Sequence, residues 1–164
     1  MARTARDDDL AYVGAGMGAD LDAVLVLNLL RTHSYLSPFI DAGLRQRHLT
    51  GAQFNALLVL RAAGDEGLLM GEIGKRLVVT RSNVTGLVDR LERQGLVARC
   101  SHRDRRATVV RLTDAGAKTL KRTLPQHARL LAELTGCLGT KDKQTLIRLL
   151  TKLRRELRRR KGDA

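Results

Sequence analysis

Apolar residues recur at helical spacing through most of this chain, and the breaks between periodic stretches mark out its elements. Val24, Leu27, Leu30, Leu36, Phe39, Ile40 and Leu44 keep the three-and-four spacing of one helix face, which predicts a first long helix over residues 20–47. Pro38 lies inside it and has no amide hydrogen for the carbonyl one turn back, so a kink is expected near residues 34–37. At Leu49-Thr50-Gly51-Ala52-Gln53 a fresh helix start follows, in which Thr50 caps the amide of Gln53 and the Gln53 side chain reaches back. This second helix turns Phe54, Leu57, Leu58 and Leu60 inward and ends before Gly64; the acidic stretch 64–67 is a turn.

The period then shortens and changes. Residues 70–77 make a short amphipathic helix with Ile73 and Leu77 inward, and Val78-Val79 is a tight connection. Thr80 caps a third helix to about Gln94, with Val84, Leu87, Val88 and Leu91 on one buried face and Gly95 at the left-handed stop. Helix, short turn and helix in this burial pattern is a helix-turn-helix layout. Partial alternation over 96–101 and 107–112 predicts two short strands joined by the polar tip His102-Arg103-Asp104-Arg105-Arg106. A basic hairpin straight after a helix-turn-helix is a wing. Thr113 caps another helix to about Thr135, with Pro125 as a bend, and 136–139 breaks it. Thr140 caps a last helix whose Leu146, Leu150, Leu153 and Leu157 suit helix packing, within one chain or across a dimer. The expected fold is mainly α with a small β-hairpin wing. The divisions are an N-terminal arm over 1–18, a first helix over 19–48, a winged helix-turn-helix over 49–113, and C-terminal helices with a basic tail over 114–164.

Charge sharpens this picture. Thirty Lys and Arg against seventeen Asp and Glu give a net charge of +13, and polyanion binding is the commonest reason for such an excess. The charge is segregated: eight arginines lie between Arg81 and Arg111, seven basic residues lie between Lys152 and Lys161, and the first 23 residues carry five aspartates. Removing the buried stripe from the third helix leaves Arg81, Ser82, Asn83, Thr85, Gly86, Asp89, Arg90 and Arg93 on its outer face. A helix fits the major groove, where Arg81 can pair with guanine O6 and N7 and Asn83 with adenine N6 and N7. Thr80, Ser82, Thr85 and Arg90 complete the candidate contact set on this helix. At the wing tip Arg103, Arg105 and Arg106 surround Asp104, a carboxylate placed to orient one guanidinium by a charge-assisted hydrogen bond, and arginines there suit a narrow minor groove. Gly86 costs helix stability, and close packing of a neighbouring helix is the expected reason, ahead of close approach by DNA.

Several classes are disfavoured. Cys100 and Cys137 form neither a metal-ligand spacing nor a disulfide framework, and the four histidines are scattered, so no metal or cofactor is expected. The chain has no hydrolase elbow, phosphate loop or zinc-protease helix, which argues against an enzyme. It also lacks an apolar run of membrane-spanning length and an apolar core after Arg3 and Arg6 of the kind a secretory signal has; a cytoplasmic, nucleoid-associated protein is expected.

From Leu49 to Gly116 the chain resembles the MarR family of bacterial transcriptional regulators. The matching stretches are Leu49-Thr50 with Gln53-Phe54, Glu72-Ile73 with Leu77, Thr80-Arg81-Ser82-Asn83-Val84-Thr85 with Leu87-Val88-Asp89-Arg90-Leu91-Glu92, Gly95-Leu96-Val97, and Asp104-Arg105-Arg106 with Leu112-Thr113-Asp114-Ala115-Gly116. The resemblance implies a two-fold homodimer with interlocked terminal helices, and a palindromic double-stranded operator. It places residues 80–93 in the major groove and Arg105 or Arg106 in the minor groove, and it implies repression relieved by a small phenolic or anionic ligand. The absence of Trp sets the chain apart from the urate-responsive subgroup, and neither cysteine lies in the first long helix, where peroxide sensors of the family keep theirs. For a carboxylate or phenol effector, Arg31, His33, Tyr35 and Arg45 in the first helix are the candidate partners, as alternatives to a solvated or dimer-interface role. A sequence-tolerant architectural DNA binder without an effector is the competing function.

Overall fold

The computed structural model describes residues 20–77, 81–101 and 107–162, without the side chains at 81, 82, 101, 161 and 162. The expected N-terminal arm, the Val78-Val79 connection, the Thr80 cap and the hairpin tip with Arg103, Asp104, Arg105 and Arg106 lie outside the described residues.

Helix α1, Leu21–Arg45, starts at Asp20, whose carboxylate accepts the Asp22 amide at 3.0 Å. It stays helical through Pro38, and the hydroxyls of Ser34 and Ser37 donate to the carbonyls of Arg31 and His33 at 2.8 Å. Its apolar stripe is only partly covered: Leu44 is buried, Ile40 packs against the core, and Leu30 and Phe39 stand 61% and 57% exposed. Helix α2, Gly51–Ala63, carries the expected capping box, with Gln53 N–H donating to Thr50 Oγ1 at 3.2 Å and Thr50 N–H to Gln53 Oε1 at 2.8 Å. Gln53 is itself buried, and its Nε2 donates to Gln94 Oε1 at 3.3 Å.

A short 3-10 turn, Gly64–Glu66, leads into strand β1, Leu68–Leu69. The sequence pattern did not predict β1. Two adjacent leucines have no alternation to display, and the pairing that defines the strand, Leu68 with Val110 and Leu69 with Val109, is remote in sequence. Gly67 permits it: φ is 71° there, and a Cβ would stand 2.4 Å from the Val110 carbonyl oxygen.

Helix α3, Met70–Leu77, and helix α4, Arg81–Arg93, form the helix-turn-helix. The Glu72 carboxylate accepts the Leu69 amide at 3.1 Å and so ties the start of α3. Val84, Leu87, Val88 and Leu91 of α4 are all buried, as their spacing requires. At the end of α4, Gly95 takes φ 68°, its amide bonds the Glu92 carbonyl at 2.8 Å, and the Leu96 amide bonds the Leu91 carbonyl at 2.9 Å, the Schellman pattern. Strands β2, Val97–Ser101, and β3, Thr108–Leu112, pair antiparallel with Arg99 opposite Val110. The sheet order is β1-β3-β2.

Helix α5, Asp114–Leu134, begins at Thr113, whose hydroxyl accepts the Gly116 amide at 3.1 Å and donates to the Gly95 carbonyl at 2.7 Å. Gly116 packs so closely that a Cβ would stand 2.1 Å from the Leu96 oxygen. The C-terminus of α4 and the N-terminus of α5 are thereby fastened at one point. Helix α6 is Thr140–Gly162. Thr140 is its first helical residue, where a cap was expected, because the Asp142 carboxylate reaches back to accept the Gly139 amide at 3.3 Å.

The core joins Leu44, Leu49, Phe54, Leu57, Leu60, Ile73, Val84, Leu91, Val97, Val110 and Leu120, so every element from α1 to α5 anchors the hairpin and α4. Each such side chain contributes about 1.5–3 kcal/mol of burial. The chain divides into two compact units, one ending at His127 and one starting at Ala128. In the second unit Leu146 and Leu157 are exposed, and Leu150 and Leu153 half-buried.

Candidate nucleic-acid interface

Burial of one face of α4 leaves the other to solvent. Asn83, Thr85, Arg90 and Arg93 are exposed, and Gly86 and Asp89 half-buried. Arg81 and Ser82 open the helix. Of the expected contact set on α4, Asn83 and Thr85 face solvent near its start and Arg90 in its last turn, while Thr80 is outside the described residues.

The packing expected around Gly86 is not there. A Cβ at this position would meet only Arg90 Nη1, at 3.5 Å, an ordinary contact. Among the described residues no neighbouring helix comes close enough to require glycine.

Arg99 on β2 holds α4 to the hairpin. Its Nη2 donates to Asp89 Oδ1 and its Nη1 to Glu92 Oε2, while its backbone amide donates to Glu92 Oε1 at 3.0 Å. The hydrogen bond to Asp89, opposed by burial and helped by the charge of Glu92, holds the guanidinium above its ordinary pKa. Three bonds thus fix the strand that leads into the hairpin tip against the helix beside it. Sequence reading placed Asp89 on the outer face of α4 and did not assign Arg99 a role. A signal was present: strand alternation puts Arg99 on the same side as buried Val97, and an arginine there needs a partner.

Beside this clamp lies a depression of about 570 Å³, with Glu72 and Lys75 of α3, Thr85 of α4, Arg99 of β2 and Thr108 of β3 among its lining residues. The effector candidates on α1 do not all share a face. At about 100° per residue, Arg31, Tyr35 and Arg45 fall on one side and His33 on the other, where Ser37 Oγ lies 3.3 Å from His33 Nε2. Tyr35 is 71% exposed. A group that sequence reading did not single out is His127 of α5. Its ring lies 4.6 Å from that of Phe54, its Nδ1 is buried with no hydrogen-bond partner among the described residues, and burial holds its pKa below the usual histidine value. Among the described residues no three His, Cys, Asp or Glu side chains gather as a metal site, and no helix is long and apolar enough to cross a membrane.

A helix-turn-helix followed by an antiparallel hairpin, with a solvent-facing second helix, defines a winged helix-turn-helix protein. Residues 49–107 match the MarR family. The HTH-type transcriptional repressor YetL of Bacillus subtilis (strain 168) is 29% identical over 136 residues, which are 80% of this chain and 81% of YetL. The solved transcriptional repressor CouR, bound to a 23-mer DNA duplex, is 31% identical with a TM-score of 0.74, covering 82% of this chain and 95% of that one. A MarR mutant from E. coli, complexed with operator DNA, is 27% identical with a TM-score of 0.73, covering 80% and 95%. The chain belongs to the MarR family of transcriptional regulators.

Proposed function

We propose that the chain is a homodimeric repressor that reads a palindromic operator in double-stranded DNA and releases it on binding a small aromatic or anionic ligand. The observation that carries the reading is the exposed polar face of α4, clamped by Arg99 to the hairpin, so that two reading elements are held as one body. Arg81 and Asn83 read base edges, Thr80, Ser82, Thr85 and Arg90 bond bases or phosphates, and the wing-tip arginines Arg103, Arg105 and Arg106, one of them oriented by Asp104, serve the minor groove. Gly86 lets DNA approach the helix backbone.

Dimerisation through residues 19–48 and 114–164 accounts for the exposed Leu25, Leu30 and Phe39 of α1 and, separately, for the exposed Leu146, Leu149 and Leu157 of α6, apolar residues that a second copy would cover. Arg31, Tyr35 and Arg45, with His33, are the proposed effector partners on α1; the depression bounded by Lys75, Thr85 and Arg99 is a second place where an anion would disturb the clamp. The test uses a duplex selected by the protein from a random pool. Arg81→Ala should weaken binding to it by about 1–3 kcal/mol and loosen one base position, and small aromatic acids should release the parent protein. Unchanged affinity and specificity in the variant would refute the helix assignment.

A further inference from the structure

Helix α6 carries a leucine stripe and a basic stripe on opposite sides. At about 100° per residue, Leu146, Leu150, Leu153 and Leu157 fall within an arc of about 60°, and Arg148, Lys152, Arg155 and Arg159 within a similar arc on the opposite side. All four cations are exposed, and with Thr151 and Glu156 they line a shallow depression of about 600 Å³. Glu156 is the sole acid after Asp142 until Asp163. It is already engaged: Arg159 Nη2 donates to its Oε1 at 2.8 Å and Arg160 Nε at 3.1 Å. Those two bonds, Arg159 first, hold its carboxyl below the usual carboxylate range. Among the described residues no carboxylate bridges Arg148, Lys152 or Arg155.

We propose that this basic face of α6 is a second duplex-DNA surface, one that holds backbone phosphates without reading sequence and that goes beyond operator recognition by α4 and the wing. From Arg148 to Arg159 the helix rises about 16 Å, a length over which duplex DNA carries roughly ten phosphates. Guanidinium groups match phosphate oxygens in pairs. Two other partner classes fit the face less well. It has no aromatic residue on which single-stranded bases could stack, and no apolar anchor of the kind that dominates protein interfaces. An anionic bilayer would need the leucine side as well as the cations, and the proposed dimer contact covers that side. Covering the leucine stripe with another helix leaves the basic arc outward.

The test measures binding of the full chain to a labelled random-sequence duplex across about 0.05–0.3 M salt. R148Q/K152Q/R155Q should flatten the slope of log K against log salt by about 3, and each single substitution by about 1. R148K/R155K, which keeps the charge, should keep the parental slope. An R81A/N83A variant separates the two surfaces: the α6 substitutions should flatten its slope by the same amount. A parental slope in the single and triple glutamine variants would overturn the proposal. So would vesicles containing phosphatidylserine that bind the parent and lose the triple variant while duplex binding is unchanged.

Discussion

Arg99→Ala removes the side-chain fastening between α4 and the hairpin while leaving the proposed base-reading residues in place. Two ion pairs are lost. Arg99 keeps 30% side-chain exposure, and its partners Asp89 and Glu92 keep 46% and 37%, so both pairs are water-screened. Pairs of this kind contribute about 0.2–1 kcal/mol each, which sets the expected stability loss at roughly 0.5–2 kcal/mol. The β2 register should survive, because the backbone amide at position 99 still bonds Glu92 at 3.0 Å. The effect on DNA is expected to be separate and additional. Asp89 and Glu92 become uncompensated carboxylates on the recognition helix, and each repels a phosphate about 10 Å away by roughly 0.4 kcal/mol in water before salt screening. With several phosphates in range, a loss of about 1–2 kcal/mol follows, or five- to thirtyfold in Kd. Urea denaturation measures the first effect, and fluorescence anisotropy on a protein-selected duplex, at a concentration where the variant is fully folded, measures the second. Arg99→Lys restores one charge without the fork and should recover part of the affinity. If Arg99→Ala lost stability and bound the duplex like its parent, the clamp would serve folding alone and this reasoning would fail.

Gly86→Ala should raise stability by up to about 1 kcal/mol, since its Cβ meets only ordinary contact, and should weaken duplex binding; unchanged binding would show that DNA keeps its distance there. His127 has a pKa depressed by burial, so its protonation favours the unfolded chain. Its stability contribution is intact above the unfolded histidine value, near 6.5, and is lost as pH falls from there through the lower folded value. His127→Phe keeps a ring against Phe54, and its urea midpoint should vary less over this window than the parent's. Parallel pH profiles would rule out His127 as a source of acid sensitivity.

The parts of the fold legible in the sequence were those with a local cause. Thr50 and Gln53 specify a capping box within four residues, Gly95 a left-handed stop, and Val84, Leu87, Val88 and Leu91 a buried face. The parts that escaped depend on remote partners. Strand β1 exists because Val109 and Val110 lie beside it, and the buried Gln53 side chain finds a hydrogen-bond partner in Gln94, 41 residues away. The outer face of α4 could be listed from periodicity, but periodicity does not say that Asp89 and Glu92 face Arg99. Gly86 marks the same limit: the low helix propensity was plain, while the open space around it appears only in three dimensions.

The central claim, that α4 and the wing read a specific duplex, is tested most directly by selecting bound duplexes from a random pool with the full chain and footprinting the winners. The account predicts one inverted repeat, with half-sites about one helical turn, ~10 bp, apart, and its loss of enrichment with Arg81→Ala and Asn83→Ala together. A pool with no enriched sequence, bound equally by parent and variant, would contradict it.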